Sequence, residues 1–358
     1  MKTNISSIIE HFGIKGECEL FGNGHINDTY FVKSEPPYII QKLNTNTFKK
    51  PVEVMENIKG VTEHLRRKII AVGGDPDRET LNFIDSDAGT PYYVAENGDF
   101  FRMYKFVDGA HSCDSTDDPM QLYYAAKAFG HFQNLLADYP ADELHEVIVN
   151  FHNTKSRYAD FKKAVADNLS GRAANAEAEI KFVLDREADA SVVVDDIAAG
   201  RIPLRVTHND TKINNVLLDD VTGEGVCVID LDTVMPGSLL YDFGDALRSG
   251  GSSGAEDEPD LDKIWFDSSK FEAFTKGFLE VLPSITEREL ELLPFSVKLM
   301  TLECGSRFLA DYLNGDTYFR THYPEHNLVR ARTQFKLVAD IEAKHDELME
   351  IVRRVSGR

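Results

Sequence analysis

The stretch from Thr207 to Asp245, THNDTKINNVLLDDVTGEGVCVIDLDTVMPGSLLYDFGD, constrains this chain more than any other. A short apolar run, Ile202 to Val206, leads into His208-Asn209-Asp210, and Asn215 follows five residues after Asp210. Then come Val216-Leu217-Leu218, a Thr222-Gly223-Glu224-Gly225 turn, and a second run, Val226 to Ile229, ending at Asp230. The pattern predicts strand, loop, strand, hairpin turn, strand, with the polar residues gathered at strand ends. Asp210, Asn215 and Asp230 carry oxygens suited to Mg²⁺, a hard cation that takes one or two carboxylates together with substrate phosphates. Any one of them alone reads as an ordinary loop or strand-end residue. Their order, with two strands and a hairpin set between them, is what argues for a shared site.

His-x-Asp-x-x-x-x-Asn, then an apolar strand closing on Asp, resembles the catalytic core of the protein-kinase-like superfamily. The resemblance implies that Asp210 orients and deprotonates a substrate hydroxyl. It implies that Asn215 and Asp230 hold Mg²⁺ on the phosphates of ATP, and that Lys212 stands at the transferred phosphate. Continued through MPGSLLYDFGDALR, the stretch is similar to the small-molecule kinases of the aminoglycoside phosphotransferase type. Within these it resembles the bacterial N-acetylhexosamine 1-kinase family, which shares the THNDTK-x-NN, IDLDT-x-MPGS and YDFGD strings and LECG-x-RFLADYL near the C-terminus. The likeness runs from about Phe12 to the last helix. It implies a bilobal α+β fold of the protein-kinase-like type. Residues 1–107 would form a nucleotide-binding lobe with a mixed or antiparallel five-stranded sheet and a helix, and 108–358 a larger, mostly helical lobe for catalysis and sugar binding. The implied reaction is ATP-dependent phosphorylation of the anomeric hydroxyl of N-acetylglucosamine or N-acetylgalactosamine.

At 358 residues the chain exceeds one average domain, and 42% hydrophobic content supports a sizeable core. A net charge of −21 argues against nucleic acid or an anionic membrane surface as the main partner. Cys18, Cys113, Cys227 and Cys304 are scattered without a C-x-x-C pair or disulfide spacing, and Cys227 lies in an apolar strand as a core residue. The start, MKTNISSIIEHFGI, has no signal-peptide pattern and no later run spans a bilayer, so a cytoplasmic protein is expected.

Upstream, Asn4 to Phe12 has the spacing of a short amphipathic helix. Glu17 to Lys33 reads as two strands around Gly22-Asn23-Gly24, a turn whose glycines let backbone amides approach an anion. In kinase-like proteins such a hairpin covers the nucleotide phosphates, although a lone Gly-x-Gly is ordinarily just a turn. His25, Asn27 and Asp28 follow on its rim, and the family's Gly-His-Ile-Asn string implies a substrate contact for His25. Tyr38 to Leu43 is the third strand, where kinases carry a phosphate-gripping Lys. Gln41 falls at that position with Lys42 adjacent, and alternation sends the two side chains to opposite faces. Either Gln41 contacts phosphate without charge, or a bulge turns Lys42 inward. Pro51 to Arg67 is a helix with Val54, Ile58, Val61 and Leu65 on one stripe; its Glu53 and Glu56 either face a strand cation or favour the helix dipole. Pro91 to Val94 and Phe100 to Val107 complete the sheet. By position alone, the backbone of Lys105, Phe106 and Val107 is the purine-binding connection.

Helical spacing returns from Met120 to Ala137, in Ala173 to Asp185, Ser268 to Leu282 and Glu287 to Leu313, and in a closing helix from Asn327 to Val355. Ser249 to Asp262 is small, acidic and without apolar period, the pattern of a flexible insert, lid or surface loop. An Arg on a helix is ordinarily solvated, but the family string makes Arg307 and Tyr318 candidates for sugar binding, with Asp232 and Thr233 below Asp210. Three other readings stay open. A kinase of another small alcohol (an aminoglycoside, choline or homoserine) shares the same core, and Glu303 and Asp311 could receive a cationic substrate. His208, Asp210, Asp230 and Asp232 could hold a metal for phosphate-ester hydrolysis. A pseudokinase would account for Gln41.

Overall fold

The computed structural model describes residues 4–22, 26–113 and 118–358. Its first part comprises α1 (Ile5–Glu10), β1 (Glu17–Leu20), β2 (Asp28–Lys33), β3 (Tyr38–Leu43), α2 (Pro51–Ala71), β4 (Tyr93–Val94) and β5 (Phe100–Lys105). There follow β6 (Ala110–His111), α3 (Pro119–Leu135), α4 (Thr154–Asp167), α5 (Glu177–Leu184), α6 (Val192–Ala198), β7 (Arg205–Thr207), β8 (Val216–Asp219), β9 (Gly225–Val228) and β10 (Met235–Gly237). The remainder is helical: α7 (Leu239–Gly250), α8 (Ser268–Glu280), α9 (Glu287–Asn314), α10 (His326–Ala343) and α11 (His345–Ser356).

Strands β1 to β5 form one antiparallel sheet in the order β1-β2-β3-β5-β4. Alternation along the strands divides its two faces. Ile40, Phe101 and Met103 pack with Ile8, Ile9 and Phe12, so α1 closes one side. Leu43 and Phe100 face the other side, with the stripe of α2 formed by Val54, Ile58, Val61 and Leu65. Gln41 and Arg102, a cross-strand pair, share that second face. Asn57 of α2 is buried and donates to the carbonyls of His145 (2.8 Å) and Val234 (2.9 Å), which ties this helix to the chain just past Asp230. Glu53 pairs with Lys50 and Glu56 with His145, so neither acid faces the sheet.

The larger, helical part is built on α3, α7, α8 and α9. α3 and α8 approach closely because Gly130 presents no side chain: a Cβ there would lie 2.5 Å from the Phe278 carbonyl oxygen. α9 starts in a capping box between Thr286 and Glu289 and ends at Gly315, whose φ of 97° suits glycine. Strands β6, β8 and β9 make a three-stranded sheet, while β7 pairs with β10. This gives the expected strand, loop, strand, hairpin, strand around the central motif, with β10 as an added partner. The fold is α+β, a five-stranded antiparallel sheet with a larger helical part.

Two expectations change. The closing helix from Asn327 to Val355 is two helices, because the backbone turns at Lys344, which lies between them and caps the end of one and the start of the other. Each helix has its own apolar partner, α10 on α9 and α11 on α8, and no Gly or Pro marks the break. The acidic insert is also pinned. Asp257 meets the buried His326 at 3.0 Å, the Thr333 hydroxyl donates to the Glu258 carbonyl at 3.1 Å, and Arg248 reaches Glu256 at 3.0 Å. Among the described residues, no helix is long and apolar enough to cross a membrane.

Candidate active site

The loop after β7 is held by buried groups that leave Asp210 at its open edge. Asp242, on the first turn of α7, accepts the amides of His208 (3.0 Å) and Asn209 (2.8 Å), and Gln133 donates to the same carboxylate at 2.6 Å. Asn209 has φ 65°, a left-handed conformation that Asn tolerates better than most residues. His208 Nε2 donates to the Ile229 carbonyl at 2.8 Å, while Nδ1 accepts the Asp210 amide at 3.2 Å. A carbonyl only accepts and an amide N–H only donates, so the imidazole is the neutral Nε2–H tautomer. Asn215 donates to the Asp210 carbonyl at 2.7 Å and to Oδ2 at 3.2 Å. Lys212 pairs with Asp210 Oδ1 at 2.8 Å. Partial desolvation pulls the Lys212 ammonium down, but Asp210 and Asp245 more than reverse that and hold it above its ordinary range. Asp210, Lys212 and Asn215 therefore stand together.

Asp230 follows β9 in a left-handed conformation (φ 59°) and its carboxylate makes no hydrogen bond or ion pair among the described residues. Solvent reaches it from the cleft, yet protein walls surround the remaining sides. This desolvation, then the charges of Asp232 and Asp210, push its pKa up; Arg102 opposes the rise only in part. Asn215, having committed its amide nitrogen to Asp210, keeps Oδ1 free of hydrogen bonds among the described residues. A crowded carboxylate and a free amide oxygen fit a hard divalent cation. Among the described residues no three His, Cys, Asp or Glu side chains gather into a metal cage. A site completed by phosphate oxygens needs none.

From the sheet side, Gly22 takes φ 73°, the turn geometry expected of it, while Asn23, Gly24 and His25 lie outside the described residues. Register between β3 and β5 is unbroken from Tyr38 to Leu43, so no bulge turns Lys42 inward, and Lys42 pairs with Asp99 at 2.8 Å. Gln41 faces the cleft. Its Oε1 accepts from Arg102 Nε (2.9 Å) and Nη2 (2.8 Å), and its Nε2 donates to the Thr29 hydroxyl at 3.1 Å. Arg102 Nη1 bonds Asp232 Oδ1, and Asn27 donates to Asp232 Oδ2 at 2.7 Å. Both Asp232 oxygens are thus engaged, and the side chain is buried. At the connection after β5, the amides of Lys105 and Phe106 go to the carbonyls of Asn82 (3.0 Å) and Pro37 (3.1 Å). The Val107 amide makes no hydrogen bond among the described residues. Phe21, Phe31 and Phe106 cluster beside it with ring centroids 5.1 to 5.9 Å apart.

Arg307 and Tyr318 lie together on the α9 side. The Arg307 guanidinium is 5.8 Å from the Tyr318 ring centre and 5.5 Å from that of Phe319, and it makes no hydrogen bond among the described residues. One turn earlier on α9, Glu303 accepts from His152 Nδ1 at 2.8 Å, and His152 Nε2 donates to the Asn209 carbonyl at 3.3 Å. Since both partners accept, both ring nitrogens carry protons. Burial disfavours that charge, but Glu303 more than reverses it and the His152 pKa is raised. Asp311 is likewise committed, to the amides of Thr317, Tyr318 and Phe319 and to Asn327. Thr233 donates to the His208 carbonyl at 2.7 Å and its own carbonyl accepts from Asn209 at 2.8 Å.

Sequence reasoning assigned no role to Asp242, Arg102 or His152. Asp242 sits in the YDFGD string already singled out, so a buried acid there was within reach. Arg102 and His152 become visible only when strand register and helix packing bring distant residues together.

Solved structures share this architecture. A microcompartment-associated aminopropanol kinase superposes with a TM-score of 0.60 at 15% identity over 96% of this chain and 97% of its own. An aminoglycoside phosphotransferase from Alicyclobacillus acidocaldarius gives 0.57 at 14% identity over 98% and 96%. The amicoumacin kinase hAmiN, in complex with AMP-PNP and Ca²⁺, gives 0.55 at 14% over 91% and 88%. At these identities the likeness is one of fold. The sequence profile of the phosphotransferase enzyme family matches residues 17–265, from β1 through the loop of Asp210 and Asp230 to the segment before α8, and the chain belongs to that family.

Proposed function

We propose that this phosphotransferase moves the terminal phosphate of ATP to the anomeric hydroxyl of an N-acetylhexosamine, giving the sugar 1-phosphate. In this reading the chain has two lobes, 1–107 and 108–358, with the reaction in the cleft between them. Asp210 aligns the hydroxyl and takes its proton. Lys212, paired with Asp210 before substrate arrives, swings to the phosphate being transferred. Asp230 and Asn215 Oδ1 hold Mg²⁺, which when bound screens the phosphate charge. The Val107 amide and the ring cluster of Phe21, Phe31 and Phe106 receive the purine, and Gly22 lies in the hairpin over the phosphates. Catalysis of this kind is mostly positioning and electrostatics. The nucleotide and divalent ion present with hAmiN agree in kind with this assignment.

The acceptor assignment rests chiefly on Arg307, a half-buried guanidinium with donors to spare beside an exposed aromatic ring. Such a pair offers hydrogen bonds and a stacking face to a neutral pyranose. A cationic acceptor would want a free carboxylate there, and Glu303 and Asp311 are both spoken for. The shared LECG-x-RFLADYL string points the same way. Asp232, bound by Arg102 and Asn27, and Thr233 shape the pocket from behind. The test mixes protein, ATP, Mg²⁺ and a panel of sugars and amino alcohols, reading ADP release. N-acetylhexosamine-dependent ADP, with phosphorus–proton coupling to the anomeric hydrogen of the product, is expected. Faster turnover with an amino alcohol, or phosphate on the primary hydroxyl, overturns the substrate. ATP-independent release of phosphate from esters overturns the kinase.

A further inference from the structure

Kinase-like sites require positive charge from the sheet side, and the third strand here offers only Gln41. Lys42 is turned away onto Asp99 and α2 sends no acid toward the sheet. One strand over, Arg102 is 2% exposed, and it lies directly across from Gln41. Residues opposed across an antiparallel pair project to the same face, so Arg102 reaches the space that a strand-three cation would fill. Its guanidinium is held from two sides: Gln41 Oε1 takes Nε and Nη2 and Asp232 takes Nη1, while Gln41 is itself fixed by Thr29 of β2. Asp232 lies two residues beyond Asp230, within one turn of chain.

We propose that Arg102 is the relocated cation of this active site, a positioning residue that holds Asp230 for the metal by anchoring Asp232, with Gln41 as its cradle. Gln41 is then the part that fits: a neutral acceptor fixes a guanidinium that a lysine in the same place would repel. A buried arginine and its carboxylate have to be paired, because each is costly alone. That pair joins the sheet to the loop of Asp230, so the phosphate-facing and metal-facing parts of the cleft keep one register. Arg102 thus stands behind the metal-holding carboxylate as groups behind metal ligands do elsewhere.

The proposal rests on the kinase reading, and the experiment separates the two. Binding of Mg²⁺ with a nonhydrolysable ATP analogue is measured by calorimetry without sugar, alongside sugar-dependent turnover. Four proteins are compared: wild type, Arg102→Met, Arg102→Met/Asp232→Asn and Gln41→Lys/Arg102→Gln. Arg102→Met strands the Asp232 carboxylate and can fail to fold; the double variant removes both charges and restores thermal stability. Weaker Mg²⁺-nucleotide binding by roughly 10- to 100-fold is expected in that folded double variant, the range for groups behind metal ligands. The swap, which returns the cation to the third strand, recovers at least part of it. A double variant that folds and binds as wild type does overturns the role of Arg102. So does a swap that folds yet recovers nothing relative to it. Wild type that binds no Mg²⁺-nucleotide overturns the kinase reading instead.

Discussion

Asp242 accepts the Asn209 amide at 2.8 Å, and with this bond it holds the left-handed residue that turns Asp210 outward. The same carboxylate takes the His208 amide and the Gln133 side chain, all donors, and among the described residues no cation hydrogen-bonds to it. Burial raises its pKa, and those donors only partly oppose the rise. The cost of a buried charge is accepted where it fixes two consecutive amides of a loop.

Asp242→Asn places an NH₂ group against donors on at least one side. A buried donor left unpaired costs about 1–3 kcal/mol. Reduced melting temperature and reduced turnover are therefore expected together, measured by thermal denaturation and sugar-dependent ADP release. Unchanged values for both would mean that the loop is held by other groups.

Asp210→Asn should keep nucleotide binding and lose roughly 10²-fold or more in turnover, the scale of a general base. Calorimetry with an ATP analogue checks the first half and steady-state kinetics the second. Near-normal turnover would take Asp210 out of the chemistry.

Much of this site was legible in the chain because it is local. His208, Asp210, Lys212 and Asn215 lie within eight residues, and a hairpin of fixed length brings Asp230 back beside them. The third-strand question was legible only as a gap, since Gln41 lacks charge and nothing local says what replaces it. Arg102 lies 61 positions away and Asp232 a further 130, and only strand register unites them. The break at Lys344 was illegible for a different reason: apolar spacing continues through it, and the turn is set by which helix each half packs on.

His208→Ala removes a ring whose two nitrogens tie the Asp210 amide to the Ile229 carbonyl. Stability and rate should fall together, since the bond spans the approach to both Asp210 and Asp230. In contrast, Asp230→Ala relieves crowding among carboxylates, so its melting temperature should hold while activity collapses and added Mg²⁺ restores little. Thermal melts beside a Mg²⁺ titration distinguish the two. An inactive His208→Ala protein with wild-type melting temperature breaks this division of labour.

Buried His152 links Glu303 of α9 to the Asn209 carbonyl, and its raised pKa makes the link depend on pH. A histidine whose folded pKa exceeds its unfolded value near 6.5 contributes fully below that value. The contribution is lost as pH rises through the folded pKa, so the window lies above about 6.5. Melting temperature should decline across that window in the wild type and stay flatter in His152→Gln. Glu303→Ala strands an imidazolium and should cost about 3–5 kcal/mol, as broken buried pairs do. Identical pH profiles for wild type and His152→Gln would show that this pair does not titrate there.

Arg307 carries the substrate assignment, and its replacement tests that assignment alone. The guanidinium makes no hydrogen bond to Asp210, Asn215 or Asp230 among the described residues, and it lies beside Tyr318 and Phe319. No hydrogen bond that holds the loop of Asp210 is lost when it is removed. A sugar hydroxyl or acetamido oxygen left without its donor in a desolvated pocket loses about 1–3 kcal/mol, roughly 10- to 100-fold in affinity. Arg307→Ala should therefore raise the KM for N-acetylhexosamine by that factor while the KM for ATP changes little. Tyr318→Ala should act in the same direction, because the guanidinium loses the ring against which it is set. Discrimination against sugars lacking the matched group should fall as well, since a pocket built around hydrogen bonds rejects a substrate by leaving its own polar groups unpaired. Equal rises in both KM values would place Arg307 in the fold of the cleft, and no rise in either would move the acceptor away from α9.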